Sequence, residues 1–320
     1  MSKIDWHELL CKDREAYISA RAEHFAATEA RIVINGKRFN QVDLSGLDMS
    51  RMDLSQCELF GCNLEGTDLS DCLLRMTRLR ACNLRGANLH LSNLSKGEGV
   101  KCDFTGADLT TTSLLLQKLY NSTFEEAKLD GADFSAAEAE GVSFRGVHAR
   151  RTFWTKADLR NCDFSGAYLG NGYFRLAALS GAEMANVDIS HADLTYSVMY
   201  GTNLEGADLS ECDLSNAFFE DTNMRNAKLT RSKLENVNLE AVDMEGADTS
   251  GVITGEVVTS EMRQHHEEVR TEAMERMRMS EYAAEQVDEA SMEDASLHQF
   301  AGGHGLNGNG NGNGNGQQGG

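Results

Sequence analysis

Eight cysteines and nine histidines are the side chains best suited to metal ligation, redox or nucleophilic chemistry in this chain of 320 residues. Their spacing points elsewhere. Cys57, Cys62, Cys72, Cys82, Cys102, Cys162 and Cys212 are separated by multiples of five, at positions that otherwise hold alanine, serine or threonine. A thiol exchanging with such residues reads as a small buried hydrophobe rather than as a disulfide partner or zinc ligand. Cys11 stands outside the pattern with no evident partner. His7, His24, His90, His148 and His191 are scattered, and the adjacent His265 and His266 would point about 100° apart on a helix, too far for a shared metal. No G-x-S-x-G, H-E-x-x-H or strand-linked G-x-G-x-x-G occurs. The expectation is a chain that is not an enzyme, with no catalytic, cofactor-binding or metal-binding residues.

The element that must position everything else runs from Ile34 to Met244. Within it a large apolar residue returns at every fifth place for 43 positions, and only Gly99, Ala139 and Ala149 interrupt it. Two places earlier lies a second register of small residues, to which seven of the cysteines belong. A period of five fits neither the 3.6 of a helix nor the 2 of a half-buried strand, so internal repetition is the source of the pattern. Gly46, Gly66, Gly86, Gly106, Gly146, Gly166, Gly206 and Gly246 each follow a large residue by two places and are separated by multiples of twenty. Because glycine accepts positive φ at a tight corner, that longer period predicts four sides per coil. The fold class expected is an all-β solenoid, a four-sided β-helix of roughly eleven coils about 4.8 Å apart and on the order of 50 Å long. Lys96-Gly97-Glu98-Gly99 lacks both inward side chains and leaves room for a bulge, although the frame resumes at Cys102 and Phe104.

The segments GADLS, GANLH, GADLT and GTNLE fit the A-(D/N)-L-x-x pattern, and the chain resembles the pentapeptide-repeat family over about two thirds of its length. The resemblance implies a right-handed quadrilateral β-helix of bacteria and related lineages, usually without catalytic activity and with no single function. It also implies an alternative for this chain. A subset of the family comprises acidic dimeric rods that imitate duplex DNA and bind DNA gyrase or topoisomerase IV.

Four segments are expected: an N-terminal helical cap over 1–30, the β-helix over 31–250, an acidic amphipathic helix over 251–300, and a disordered Gly/Asn tail over 301–320. A helix over 5–27 follows from Asp5 with Glu8 three places on, a capping-box spacing, and from the stripe Trp6, Leu9, Leu10, Tyr17 and Ala20. Val258, Met262, His266, Val269, Ala273 and Met277 mark the C-terminal helix, which could cap the last coil, lie along the rod or form a homodimer.

Outward residues twenty apart should stack. The column Arg38, Glu58, Arg78, Glu98, Lys118, Glu138 alternates in sign and predicts a charge ladder. The same column then turns apolar at Ala178, Val198 and Phe218, with Leu176 and Tyr196 across the preceding corner. Leu176, Tyr196, Val198 and Phe218 are therefore expected to form an apolar strip that contacts a partner. Inside, Phe104, Phe124, Phe144 and Phe164 should stack on one side, with Phe134, Trp154 and Phe174 on another.

Charge supplies the other candidate surface. With 50 acidic against 30 basic residues and a net charge of −20, direct nucleic-acid or anionic-membrane binding is not expected. Between Arg175 and Arg225 no Lys or Arg occurs, yet Glu183, Asp188, Asp193, Glu205, Asp208, Glu211, Asp213, Glu220 and Asp221 do. No apolar run is long enough to span a bilayer, and the N-terminal stretch is charged, so a cytoplasmic protein is expected. The function favoured by the sequence is a scaffolding rod that binds a protein partner through its outer walls and terminal helices.

Overall fold

A computed structural model describes residues 4–255, and the acidic helix and Gly/Asn tail expected beyond residue 255 lie outside the described residues. Residues twenty apart pair in parallel, from Val33 with Asp53 to Lys233 with Ile253, so four pentapeptides make one coil of a β-solenoid. Wall I carries Asp43 and Asn63, wall II Asp48 and Asp68, wall III Asp53 and Leu73, and wall IV Arg38 and Glu58. Among the described residues the pairing lengthens into three-residue strands only on wall IV, at Arg38–Asn40, Glu58–Phe60, Arg78–Arg80, Glu98–Val100, Val198–Tyr200 and Phe218–Glu220.

Each corner is built from the pentapeptide itself. The outward Asp or Asn before the large residue accepts a bond from the backbone N–H two places on, as in Ser70 N to Asp68 Oδ1 at 2.9 Å and Arg85 N to Asn83 Oδ1 at 3.1 Å. This is an Asx turn, which explains why the repeat favours those two residue types there. The second residue after the large one then takes positive φ, for example 61° at Gln56 and 55° at Met76. The next N–H closes the turn, from Cys57 N to Leu54 O at 3.1 Å, with the left-handed third residue of a type II turn.

Glycine does not by itself set the number of sides. Left-handed residues occur at all four kinds of corner, including Gly61, Gly131 and Gly181, which fall outside the twenty-residue glycine series. Four sides follow from the pairing of residues i and i+20, while glycine merely relieves some corners.

The small inward register has a chemistry that its size alone does not reveal. Thr67 Oγ1 donates to Leu44 O at 2.8 Å, Cys72 Sγ to Met49 O at 3.0 Å, Thr152 Oγ1 to Leu129 O at 2.8 Å and Cys162 Sγ to Ala139 O at 2.9 Å. Each acceptor lies 23 residues back. A buried hydroxyl or thiol is thereby satisfied, so Ser, Thr and Cys can replace Ala in the core. All seven in-frame cysteines are buried and free.

The rings stack as their columns require. Phe104 and Phe124 are 4.5 Å apart and nearly parallel, Phe134 and Trp154 4.4 Å, and the two stacks meet edge to face. At Gly97 and Gly99 the chain does not bulge but stays in the strand pairing of Arg78–Arg80 with Glu98–Val100. Gln117, from the next coil, turns inward and accepts from Gly97 N at 2.9 Å. A Cβ at Gly97 would stand 2.4 Å from Thr77 O, so this approach needs glycine.

The N-terminal segment forms two helices rather than one, α1 (Trp6–Lys12) and α2 (Arg14–Ala27). Asp5 caps α1 through Glu8 N as expected, but Asp13 ends α1 and caps α2 by accepting from Ala16 N. The break aims one row of side chains at the first coil, whose carbonyls on the open side have no coil beneath them. His7 Nε2 bonds Arg38 O at 2.8 Å, Arg14 bonds Ser45 O at 2.6 Å, Tyr17 bonds Asp48 O at 2.7 Å and Arg21 bonds Ser50 O at 2.9 Å. Side chains thus do the work of a missing coil. Leu10 and Tyr17 are buried in the same core as the first coils.

Candidate interaction surfaces

Wall IV begins as the expected charge ladder. Glu58 pairs with Arg38 at 2.6 Å and Arg78 at 2.9 Å, Glu98 with Arg80 at 2.9 Å, and Glu138 with Lys118 at 3.9 Å. Further along, Ala178, Val198 and Phe218 pair in register. Leu176 and Tyr196 occupy the left-handed corners beside them, with φ of 60° at both. The structure therefore brings the strip residues together, but not as an open surface. Leu176, Tyr196 and Phe218 are half-buried, and Val198 is only 3% exposed although its side chain lies on the outer face. Arg160, in a neighbouring column of the same wall, is 4% exposed and held by Glu140 at 2.9 Å and Asp158 at 2.7 Å. By contrast Phe60, in the same column as Arg160, is 48% exposed.

The edge between walls II and III carries a cluster that the sequence reading missed. Phe153 stacks on Tyr173 at 4.8 Å and His148 on Tyr168 at 4.9 Å, across a corner that carries Arg150 and Arg151. Phe153, Tyr168 and Tyr173 are 41%, 50% and 42% exposed. The signal was present as aromatic residues twenty apart in the outward register, the criterion that identified the strip.

The same two columns continue upward into carboxylates, Tyr168 to Asp188 to Asp208 and Tyr173 to Asp193 to Asp213. The nine acids do not form one patch. Glu183 and Glu205 belong to wall I, Asp188 and Asp208 to wall II, Asp193 and Asp213 to wall III, Glu211 to the corner between II and III, Glu220 to wall IV and Asp221 to the corner after it. Bases from the next coil reach several of them: Lys228 to Asp208 at 3.3 Å, Lys233 to Asp213 at 3.4 Å, and Arg231 to Glu211 at 2.5 Å. Burial would raise the Asp208 carboxyl, but bonds from Ser210 and then Lys228 outweigh it and hold it below its ordinary value. Asp213 is held low in the same way by Ser215 and Lys233. Asp188, Asp193, Asp208 and Asp213 also cap their own corners by accepting the N–H two residues on.

Among the described residues, no group of three or more His, Cys, Asp or Glu is placed to hold a metal ion. No described helix is long and apolar enough to cross a membrane.

No curated protein sequence matches the chain. Among solved structures it is similar to HetL, a pentapeptide repeat protein involved in heterocyst differentiation regulation from the cyanobacterium Nostoc sp. strain PCC 7120. That match has 22% identity over 73% of this chain and 93% of HetL, with a TM-score of 0.45. QnrB1, a plasmid-mediated fluoroquinolone resistance protein, is 19% identical over 73% of this chain and 95% of its own, with a TM-score of 0.30. The pentapeptide repeat protein alr5209 from Nostoc is 30% identical over 30% of this chain and 77% of its own, with a TM-score of 0.23. A family model described as a pentapeptide repeat region matches residues 35–98, 100–174 and 173–248. These spans take in the coils whose corners recur every five residues, and the chain belongs to the pentapeptide-repeat family.

Proposed function

We propose that the protein is a non-enzymatic interaction rod that binds a protein partner through its outer walls and terminal helices. The observation that supports this most is the edge between walls II and III. Phe153, Tyr168 and Tyr173 are exposed yet already ordered by stacking. Little side-chain entropy remains to be lost when a partner covers them. With Arg150 and Arg151 at the same corner, the edge has the aromatic and arginine composition of an interface hot spot. The test is a double substitution, Tyr168→Ala with Tyr173→Ala, which leaves the inward registers untouched. A partner captured by the wild-type protein, identified and then titrated in purified form, should bind the variant at least about 30-fold more weakly, equivalent to roughly 2 kcal/mol. Equal affinity would remove the edge from the interface.

A second reading has its own support. Asp188 lies directly beside Asp208, and Asp193 beside Asp213. Like charges in that arrangement destabilise a sheet, and asparagine would close the same corners without that repulsion. With Glu183, Glu205, Glu211, Glu220 and Asp221 they would complete an acidic belt that stands in for duplex phosphates on DNA gyrase or topoisomerase IV. Inhibition of supercoiling, or protection from quinolone poisoning, should then weaken as salt rises. Absence of either effect at micromolar protein would exclude this reading.

A further inference from the structure

Several outward bases of this rod are answered by an acid one coil away, as Lys128 is by Asp108 and Lys228 by Asp208. The edge between walls II and III carries charges that are not. Among the described residues no ion pair reaches Arg150, Arg151, Asp188 or Asp193. Their columns give the reason. Arg150 is followed by Gly170 and Ser190, and Arg151 by Asn171 and His191, so no carboxylate stands above either guanidinium. Below, Asp130 accepts from the Arg150 backbone N–H at 2.8 Å. Asp188 and Asp193 lie over Tyr168 and Tyr173 and accept from the hydroxyls of Ser190 and Thr195 at their own corners. Along one edge, successive coils therefore present exposed Arg150 and Arg151 with His148 and Phe153, then exposed Tyr168 and Tyr173, then half-buried Asp188 and Asp193.

We infer that this edge is the contact between two copies of the chain, laid antiparallel about a two-fold axis perpendicular to both rods at the coil of Tyr168 and Tyr173. The inference rests on the reading of the edge as an interface and names its occupant. A two-fold contact sets one surface against itself. Reversing the order basic, aromatic, acidic about its centre yields the complementary order, so the edge matches its own inverted copy. The arginines of each rod face the corner that Asp188 and Asp193 flank on the other, about 4.8 Å along the rod from the axis. His148 faces Asp188 of the second copy, and the tyrosines meet their counterparts. Parallel rods would instead oppose arginine to arginine and carboxylate to carboxylate. One coil further out, Asp208, Asp213 and Glu211 are already paired with Lys228, Lys233 and Arg231, which offsets their repulsion of Asp130 and Asp133 on the second copy. Three coils span about 14 Å, a small contact of the kind that associates weakly. The net charge of −20 opposes the approach, but salt at about 0.15 M screens it beyond about 8 Å, while the facing charges meet in contact.

Sedimentation of the full-length protein from about 1 to 100 μM, the range for a weak contact, should show the mass rising from one chain towards two. Arg150→Glu with Arg151→Glu makes the edge acidic throughout, and Asp188→Lys with Asp193→Lys makes it basic. Each pair should weaken self-association at least about tenfold. Both leave the fold intact, because Asp130 and Glu211 already occupy the corner columns, the latter at φ of 58°, and Lys128, Lys228 and Lys233 the wall columns. An equimolar mixture of the two variants should associate at least as tightly as the wild type, since carboxylates again face bases in both directions. A wild-type protein that remains a single chain at about 100 μM would overturn the inference. So would variants that associate as tightly as the wild type, or a mixture that associates no better than its components. A monomeric wild type whose foreign partner is still lost on Tyr168→Ala with Tyr173→Ala would overturn this inference alone and leave the proposed function standing.

Discussion

Deleting one residue and deleting five should have opposite consequences, because the inward registers repeat every five places and each of the four corners uses the same turn. Removal of Ala192 moves every later residue back by one. Leu194, Met199, Leu204, Leu209, Leu214, Phe219, Met224, Leu229 and Leu234, nine large side chains buried in the native rod, would then point outward. At about 1.5–3 kcal/mol each, the gross loss is roughly 14–27 kcal/mol. That equals or exceeds the top of the range of about 5–15 kcal/mol usual for the total stability of a folded domain, so the part of the rod beyond the deletion should not fold. Removal of residues 187–191 instead shifts each later pentapeptide to the neighbouring wall with its large and small residues still inward. It loses the buried Val187 and Ile189 and rearranges the columns, a change of a few kcal/mol. Urea unfolding followed by circular dichroism separates the two. The m-value follows the surface exposed, so it should fall by roughly a quarter in the single deletion and stay near wild type in the five-residue deletion. Equal m-values and equal midpoints in the two variants would refute the frame argument.

Three further outcomes follow from the geometry. Burial pushes the Cys57 thiol up to about 11 and those of Cys72 and Cys212 up to about 12, so at pH 8 a thiol reagent should label at most Cys11 in the native protein and all eight cysteines after denaturation. Labelling of two or more thiols within minutes in the native state would contradict the packing. Tyr17→Phe deprives the Asp48 carbonyl of its donor at a fully buried side chain, and should cost about 1–3 kcal/mol and lower the thermal midpoint by several degrees. An unchanged midpoint would show that the cap does not hold the first coil. Asp163 is opposed by burial but held below its ordinary value by Ser165 and Arg145, as Asp103 is by Thr105 and Arg85. A depressed folded pKa gives stability that is present above the unfolded value and lost as pH falls through the folded one, so denaturant midpoints should hold from pH 7 to about 5 and decline below about 4. Asp103→Asn and Asp163→Asn together should flatten that decline, and an unchanged slope would exclude these carboxylates as its source.

The fold was legible because one physical requirement repeats. Leu44, Leu64 and Leu84 mark the inward large position, while Asp43, Asn63 and Asn83 mark the corner that follows it, and both can be read from a single strand of text. What escaped the reading depends on neighbours a full coil away. The donor role of Cys72 and Thr67 requires the carbonyls of Met49 and Leu44, and the inward turn of Gln117 is understandable only beside the empty space at Gly97. The helix break at Asp13 had a visible sign, since Asp is a good N-cap, but the apolar stripe runs across it and suggested continuity. For the candidate surfaces, columns were predictable and accessibility was not. Val198 and Phe218 pair in register as expected, while Val198 is buried and not exposed. Phe153 and Tyr173 were hidden beside the inward rings Trp154 and Phe174 that directly follow them in the chain.

The left-handed corners have a consequence for how this rod can change. Met76, Leu91 and Leu116 sit at φ of 55°, 59° and 58° and are about half exposed. A residue other than glycine in that conformation carries strain on the order of 1 kcal/mol or more, and none of these three belongs to the buried core. Asparagine adopts it more readily and adds a polar group at the rim. Each such corner is therefore a place where stability can be raised by a single substitution with the core unaltered, and the chain holds many of them. Mutational drift on the walls, including the acquisition of a new binding face, can be offset at sites that take no part in binding.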